Sequence, residues 1–462
     1  MKQIEKFLNS GAYIVLIFSI TLISWSFYKE TPPFDYNLIN MIGILFFIFL
    51  LCFIFISFRN TMYSIPILIG LLFILNKSDM TFETSIDLGF PIVAISSFLF
   101  SFVFHLIRFK PKFHKGRFFL GLFLIAVGYI IALIYLPFDI TAIPVSLLGF
   151  LYLFFYVFYS STSKSNLEYL FKIMFVANLV LTFQLFIYVY RGFMTYTDLD
   201  FMTRLFLGWL RNLGWANTND MCFYIALTFP SYIYFIMKKP KNYWLWILMI
   251  LPVAAVVFTK SRGGLISFGL SGLFSILLFY FKGPKKNYIH WIALAAVPVF
   301  ILAINFRFFI EWLNILASIE GEGFNAFTSN RIYFYTEGIK IFLRYPIFGG
   351  GWLSIQSFPF DGRLFMYHST IIQALATMGL FGLGALIIHF IQVFKYMFNE
   401  VSVEKYLFLI GFIASQLHGL VDNVQYSIPF SVFIVVILAI FETSEKKTSF
   451  ELVEGRYIYI ES

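Results

Sequence analysis

Residues 38–57 read LINMIGILFFIFLLCFIFIS, an apolar run without a charged side chain. About 20 residues of helix, at about 1.5 Å of rise each, match the roughly 30 Å hydrocarbon core of a bilayer, so the segment reads as a membrane-spanning helix. Working outward, similar runs fall near 11–28, 61–75, 86–107, 117–135, 141–160 and 169–190, and again near 218–237, 243–259, 262–281, 288–305, 367–393, 406–421 and 424–441. With 60% apolar and only 12% charged residues, the composition excludes a soluble globular domain. Inside lipid every backbone polar group must be bonded within the protein, and runs of this length satisfy that demand as helices. The expected fold is therefore all-α, a polytopic membrane helix bundle of about 12–14 transmembrane helices with a large helical extracytoplasmic loop. One transmembrane domain is expected over 1–462, containing the loop 306–366 and followed by a cytoplasmic tail, 442–462.

Aromatic residues make up 22% of the chain, and Trp and Tyr recur near the ends of the apolar runs, where amphipathic rings favour the headgroup zone. The two cysteines, Cys52 and Cys222, lie in or beside apolar runs and read as buried free thiols rather than a disulfide. Lys2 and Lys6 precede the first run, which lacks a small-residue cleavage site and reads as a retained helix.

Lysine placement sets the expected orientation, because basic residues in short loops stay in the cytoplasm. With the N-terminus inside, the inner loops collect Arg108, Lys110, Lys112, Lys115 and Arg117, then Lys238, Lys239 and Lys241, then Lys282, Lys285 and Lys286. Lys446 and Lys447 place the C-terminus inside as well, in the plasma membrane of a cell. The net charge of +9 is thus accounted for by topology, and no nucleic-acid partner is implied.

Arginine follows a different rule. The outer loops hold Arg191, Arg204, Arg211, Arg262, Arg307, Arg331, Arg344 and Arg363 but few lysines, whereas inside the preference reverses. Orientation needs only charge, but binding a carboxylate or phosphate in a fixed pose draws on the planar guanidinium. The outer face therefore reads as an anion-binding surface, built on the loops 191–217 and 306–366. In the longer loop, Phe308, Phe309, Trp312, Leu313 and Leu316 recur at helical spacing, as in a helix lying on the membrane surface. A second loop helix is expected after Thr328, Ser329 and Asn330, ending before Pro346 and Gly349-Gly350-Gly351.

Three polar residues fall at expected helix N-termini on that face. Arg262 opens a span within Lys260-Ser261-Arg262-Gly263-Gly264, Arg331 opens the second loop helix, and His368 opens the span after the loop. A single arginine at a membrane rim is more often an anchor reaching lipid phosphates. Two at helix N-termini, where unpaired N–H groups and the dipole already attract anions, point to an anion site. The same dipole favours the uncharged imidazole of His368, the form a general base requires.

Four patches, in this order, resemble the O-antigen ligase and O-antigen polymerase family, which includes teichuronic acid and other surface-polysaccharide polymerases. They are Gly214-Trp215-Ala216-Asn217-Thr218-Asn219; Ser261-Arg262-Gly263-Gly264; Asn330-Arg331 with Tyr345-Pro346-Ile347-Phe348-Gly349-Gly350-Gly351; and His368-Ser369-Thr370-Ile371-Ile372-Gln373 with Met378-Gly379-Leu380-Phe381-Gly382. Together they span roughly 205–390, and Ser369 departs from the asparagine that often follows the histidine.

The resemblance implies a metal-independent, cofactor-free glycosyltransferase of cell-envelope polysaccharide biosynthesis. It would move sugar from an undecaprenyl diphosphate-linked oligosaccharide to a hydroxyl of a glycan or lipid acceptor, among membrane lipids. Arg262 and Arg331 would stabilise the leaving diphosphate and His368 would take the acceptor proton. Arg204, Arg211, Asn217, Asn219, Tyr335 and Gln373 are the expected substrate-binding residues. Polymerisation of repeat units ranks ahead of an O-antigen-type ligase.

Two rivals come from other classes. A polyprenyl-phosphate-sugar glycosyltransferase would use an acid in the first outer loop, where Glu30 and Asp35 stand. A lipid-linked oligosaccharide flippase would bind near the midplane and show two similar halves, and no such repeat is visible. Asp198-Leu199-Asp200 reads as a solvated loop and no metal ligands are expected, while His418, Asp422 and Asn423, near the last outer turn, read as a satisfied polar cluster ahead of a lining of the same cavity.

Overall fold

A computed structural model describes residues 2–26, 38–75, 89–136, 140, 142–164, 166–195, 218–259, 261–284, 331–357, 366–444 and 449–460. Its helices are α1 (Lys2–Leu8), α2 (Gly11–Ser26), α3 (Leu38–Ser57), α4 (Ile65–Leu75), α5 (Gly89–Phe109), α6 (Phe119–Ile131), α7 (Ala142–Thr162) and α8 (Leu167–Thr195). They continue as α9 (Thr218–Thr228), α10 (Pro230–Lys238), α11 (Tyr243–Phe258), α12 (Arg262–Lys282), α13 (Arg331–Arg344), α14 (Thr370–Phe398), α15 (Val403–His418) and α16 (Ile428–Thr443). Every expected apolar run is helical except 288–305, which lies outside the described residues, as does the expected surface helix around Phe308.

The fold is an all-α polytopic membrane bundle. Among the described residues five helices are long and apolar enough to cross a membrane, or six if α1 and α2, bent by 62°, form one span. One element departs from the all-helical expectation. The tail folds into an antiparallel hairpin, β1 (Phe450–Val453) with β2 (Arg456–Tyr459). Phe450 and Tyr457 are buried, Ser449 N donates to Glu404 Oε1 at 2.7 Å, and an Arg456 guanidinium nitrogen donates to Gly283 O at 2.7 Å. Backbone bonds, an apolar anchor and these contacts hold the hairpin against the ends of α12 and α15.

Breaks in the helices are repaired by partners, as lipid requires. Pro230 has no N–H to offer the carbonyl four residues back, and that carbonyl, Ala226 O, accepts from Ser271 Oγ of α12 at 2.6 Å instead. The larger repair lies in α14, which is interrupted at Gly379 (φ 65°, ψ −158°). The turn after α13 fills the gap. Gly350 N and Gly351 N donate to Ala376 O and Thr377 O, while Leu380 N and Phe381 N donate to Pro346 O and Ile347 O, at 2.7–3.1 Å. This interlock gives the Gly349-Gly350-Gly351 and Met378-Gly379 patches one shared purpose.

Gly379 occupies backbone space reserved for glycine, and a Cβ there would lie 2.5 Å from Ile347 C and O. Gly349 (φ 76°) mirrors it, with its Cβ position 2.3 Å from Met378 N. Gly379→Ala is therefore expected to destabilise the protein by at least about 1–3 kcal/mol, the cost of such backbone strain alone. Thermal unfolding in detergent measures it, and an unchanged midpoint would mean the interlock is slack.

Candidate active site

Helices α9, α12 and α15 pack against one another, and α13 packs on α14. Their ends meet at one end of the bundle. There α9, α12, α13 and α14 begin and α15 finishes, while Lys238, Lys282 and the hairpin mark the opposite end. Ser261 caps α12, accepting from Gly264 N at 3.0 Å and donating to Asn219 Oδ1 of α9. Thr370 N donates to Gly419 O at 2.8 Å, which ties the start of α14 to the turn after α15.

Asp422, in that turn, is the centre of the site. Its Oδ1 accepts from Asn423 N at 2.8 Å and lies 3.4 Å from His368 Nδ1, while its Oδ2 lies 3.9 Å from an Arg331 guanidinium nitrogen. Burial would push this carboxyl up, but the His368 hydrogen bond and charge, with His418 and the Asn423 N–H, hold it well below the usual carboxylate range. Asp422 is thus ionised at neutral pH. A carboxylate only accepts, so it selects the His368 tautomer with hydrogen on Nδ1 and leaves Nε2 of a neutral ring as the acceptor.

His368 does not open the helix as the sequence suggests. Ser369 is the cap of α14, accepting from Ile372 N at 3.5 Å, and His368 stands before it in left-handed backbone (φ 48°). Such strain persists only where surroundings impose it. Here Tyr335 Oη donates to His368 O at 3.1 Å, Ser369 N donates to Asn423 Oδ1 at 3.1 Å, and the Phe334 ring lies 5.4 Å from the imidazole. The ring is thereby turned toward Asp422.

Arg262 begins α12, as expected, and Arg331 is the first described residue of α13; both are half-buried and lie close enough to repel each other. Tyr335 joins the site through the His368 carbonyl, and burial raises its hydroxyl above the ordinary tyrosine range against the opposing pull of Arg331. Gln373 is buried, and its Oε1 accepts from Tyr367 N at 3.0 Å, which fixes the backbone just before His368. Asn219 Oδ1 accepts from Ser261 Oγ. Arg204, Arg211, Asn217, Asp198 and Asp200 lie outside the described residues. Among the described residues no three His, Cys, Asp or Glu side chains are grouped to hold a metal ion.

Sequence reasoning missed Asp422 as the hub and took it for part of a satisfied cluster. Asn423 fits that description, whereas Asp422 Oδ2 and His418 Nε2 have no hydrogen-bond partner among the described residues. The available signal was an Asp-Asn pair closing a short turn between two apolar runs.

Residues 247–387 match the O-antigen ligase family model. This stretch, less than a third of the chain, is similar to that family. It takes in Arg262, Arg331 and His368, so the family resemblance drawn from the four patches holds for the three later ones, while Gly214–Asn219 precedes the matched stretch. No curated protein matches the chain. The O-antigen ligase family is enzymatic and performs ligase- or polymerase-type glycosyl transfer with lipid-linked glycan donors and glycan or lipid acceptors, and this chain is an integral membrane protein. Asp422 and His418 lie C-terminal to the matched stretch yet face its residues.

Proposed function

We propose that the protein transfers glycan, without a metal ion, from an undecaprenyl diphosphate-linked oligosaccharide to an acceptor hydroxyl, polymerising the repeat units of a surface polysaccharide. The convergence of Arg331 and His368 on one buried aspartate, with Arg262 beside them, carries this reading. The bond between the anomeric carbon and the diphosphate oxygen breaks, and the diphosphate departs with the electron pair. Arg262 and Arg331 neutralise the charge that develops on it, the role a divalent cation would otherwise fill. The acceptor oxygen forms the new bond to the anomeric carbon and its proton passes to His368 Nε2, while Asp422 stabilises the resulting imidazolium.

The site end is taken as extracytoplasmic. Lys238, Lys239, Lys241, Lys282 and Lys405 gather at the other end, which favours that orientation, with both termini in the cytoplasm. In a chain whose own cysteines are replaced, a cysteine at Tyr333 is expected to react with an impermeant thiol reagent in intact cells and one at Lys239 only after lysis. The reverse pattern would put the site on the wrong side for a flipped lipid-linked donor.

Deletion tests the reaction and its direction. Cells lacking a polymerase should accumulate single repeat units on lipid diphosphate, and the wild-type gene should clear them. Accumulation of full-length polymer on the lipid would assign the protein as a ligase, and no lipid-linked glycan at all would refute the proposal.

A further inference from the structure

His418, the last residue of α15, is 2% exposed and has no part in the mechanism above. Its Nδ1 lies 3.2 Å from Ser267 Oγ. That hydroxyl spends its hydrogen on Gly264 O at 3.1 Å, so it accepts from the ring, and Nδ1 carries the hydrogen. Nε2 of the neutral ring is left with a lone pair and, among the described residues, no hydrogen-bond partner. A lone pair buried in this way needs a reason.

The orphaned nitrogen lies against the first turn of α12. A Cβ built on Gly263 would come within 3.2 Å of Nε2, so the missing side chain at Gly263 is what lets the imidazole reach the helix end. Gly263 and Arg262 are half-buried, which puts Nε2 one layer beneath the surface where a phosphate would meet the helix N–H groups. The charged and titratable groups around it are Asp422 in the following turn, Arg331 of α13, Arg262 of α12, His368 before α14, and Asp220 and Cys222 of α9. The one charged side chain of α10, Lys238, stands at the opposite end.

With the site empty, burial and the nearby Arg331 guanidinium oppose a positive charge on the ring, against the pull of Asp422. A bound diphosphate reverses that balance, because its two negative charges would repel a lone pair and attract an N–H⁺. We propose that His418 is a third phosphate ligand of the donor site and takes up a proton from solvent as the lipid diphosphate binds, returning it when the diphosphate leaves. The inference rests on the donor assigned above and goes beyond it by coupling donor affinity to pH.

The test uses the full-length protein in lipid nanodiscs and a prenyl methyl diphosphate, a sugar-free diester with no group of its own that titrates near neutral pH. Titration calorimetry in two buffers of different ionisation enthalpy counts the protons bound. Wild type should take up a proton, and its affinity should weaken by up to about tenfold per pH unit on the alkaline side. His418→Gln and His418→Asn should bind more weakly at pH 6.5, show no uptake and lose the pH dependence. Uptake that survives in both variants, or no uptake in wild type that binds, overturns the role of His418 alone. Failure of wild type to bind the diester at all overturns the donor assignment and this inference with it. Thermal midpoints near that of wild type identify the variants as folded, and the conservative pair keeps the test open if one of them is not.

Discussion

Asp422→Asn is expected to slow glycan transfer by about a hundredfold or more, the scale on which general-base catalysis is lost, in a protein that still folds. Asparagine keeps the shape of the buried side chain, and its oxygen can still accept from Asn423 N, so the turn between α15 and α16 survives. What disappears is the negative charge 3.4 Å from His368 Nδ1. Without it the amide can present N–H to the ring as readily as oxygen, the Nδ1–H tautomer loses its advantage, and the developing imidazolium loses its counter-charge. His368→Ala should cost at least as much. The double variant should cost little beyond His368→Ala, since both residues act through one proton transfer. Full activity of Asp422→Asn at matched expression would reduce Asp422 to a structural residue of the turn.

Arg331→Lys is expected to lose about 10²–10³ in kcat, the scale of removing one preorganised oxyanion donor, although charge is conserved. The Arg331 guanidinium lies 3.9 Å from Asp422 Oδ2, and its planar fork suits two oxygens of a diphosphate. Lysine offers a point charge on a flexible stem and cannot span two diphosphate oxygens in one plane. Because Arg262 and Arg331 are close enough to repel each other, either one alone leaves the diphosphate under-neutralised. A membrane anchor predicts the opposite, since lysine reaches lipid phosphates as well as arginine does. Assays with purified protein at saturating donor separate the two, and a lysine variant with wild-type kcat would favour the anchor.

The helices were legible because lipid leaves the backbone no alternative and a run such as 38–57 has one reading. Arg262 and Arg331 stood out in the sequence as guanidinium groups near expected helix starts. His368 was expected to open the span, and the helix begins two residues later, at Thr370. Ser369 takes the cap, and a left-handed residue before a cap has no signature in a single sequence. Asp422 could not be found from spacing, since 54 residues separate it from His368 and the contact exists only through the packing of α14 beside α15. The same holds for the interlock, where two glycine patches that look like separate turns meet edge to edge. The hairpin was missed because Phe450–Tyr459 is too short and too charged to compete with the apolar pattern of the bundle, and it depends on the ends of α12 and α15 for support.

The most direct test of the central claim is transfer by the purified protein in nanodiscs loaded with one undecaprenyl diphosphate-linked repeat unit. The account predicts longer lipid-linked glycan and released undecaprenyl diphosphate, at a rate that excess EDTA leaves nearly unchanged and that His368→Ala abolishes. A rate lost in EDTA and restored by Mg²⁺ or Mn²⁺, or an alanine variant that still extends the glycan, would contradict it.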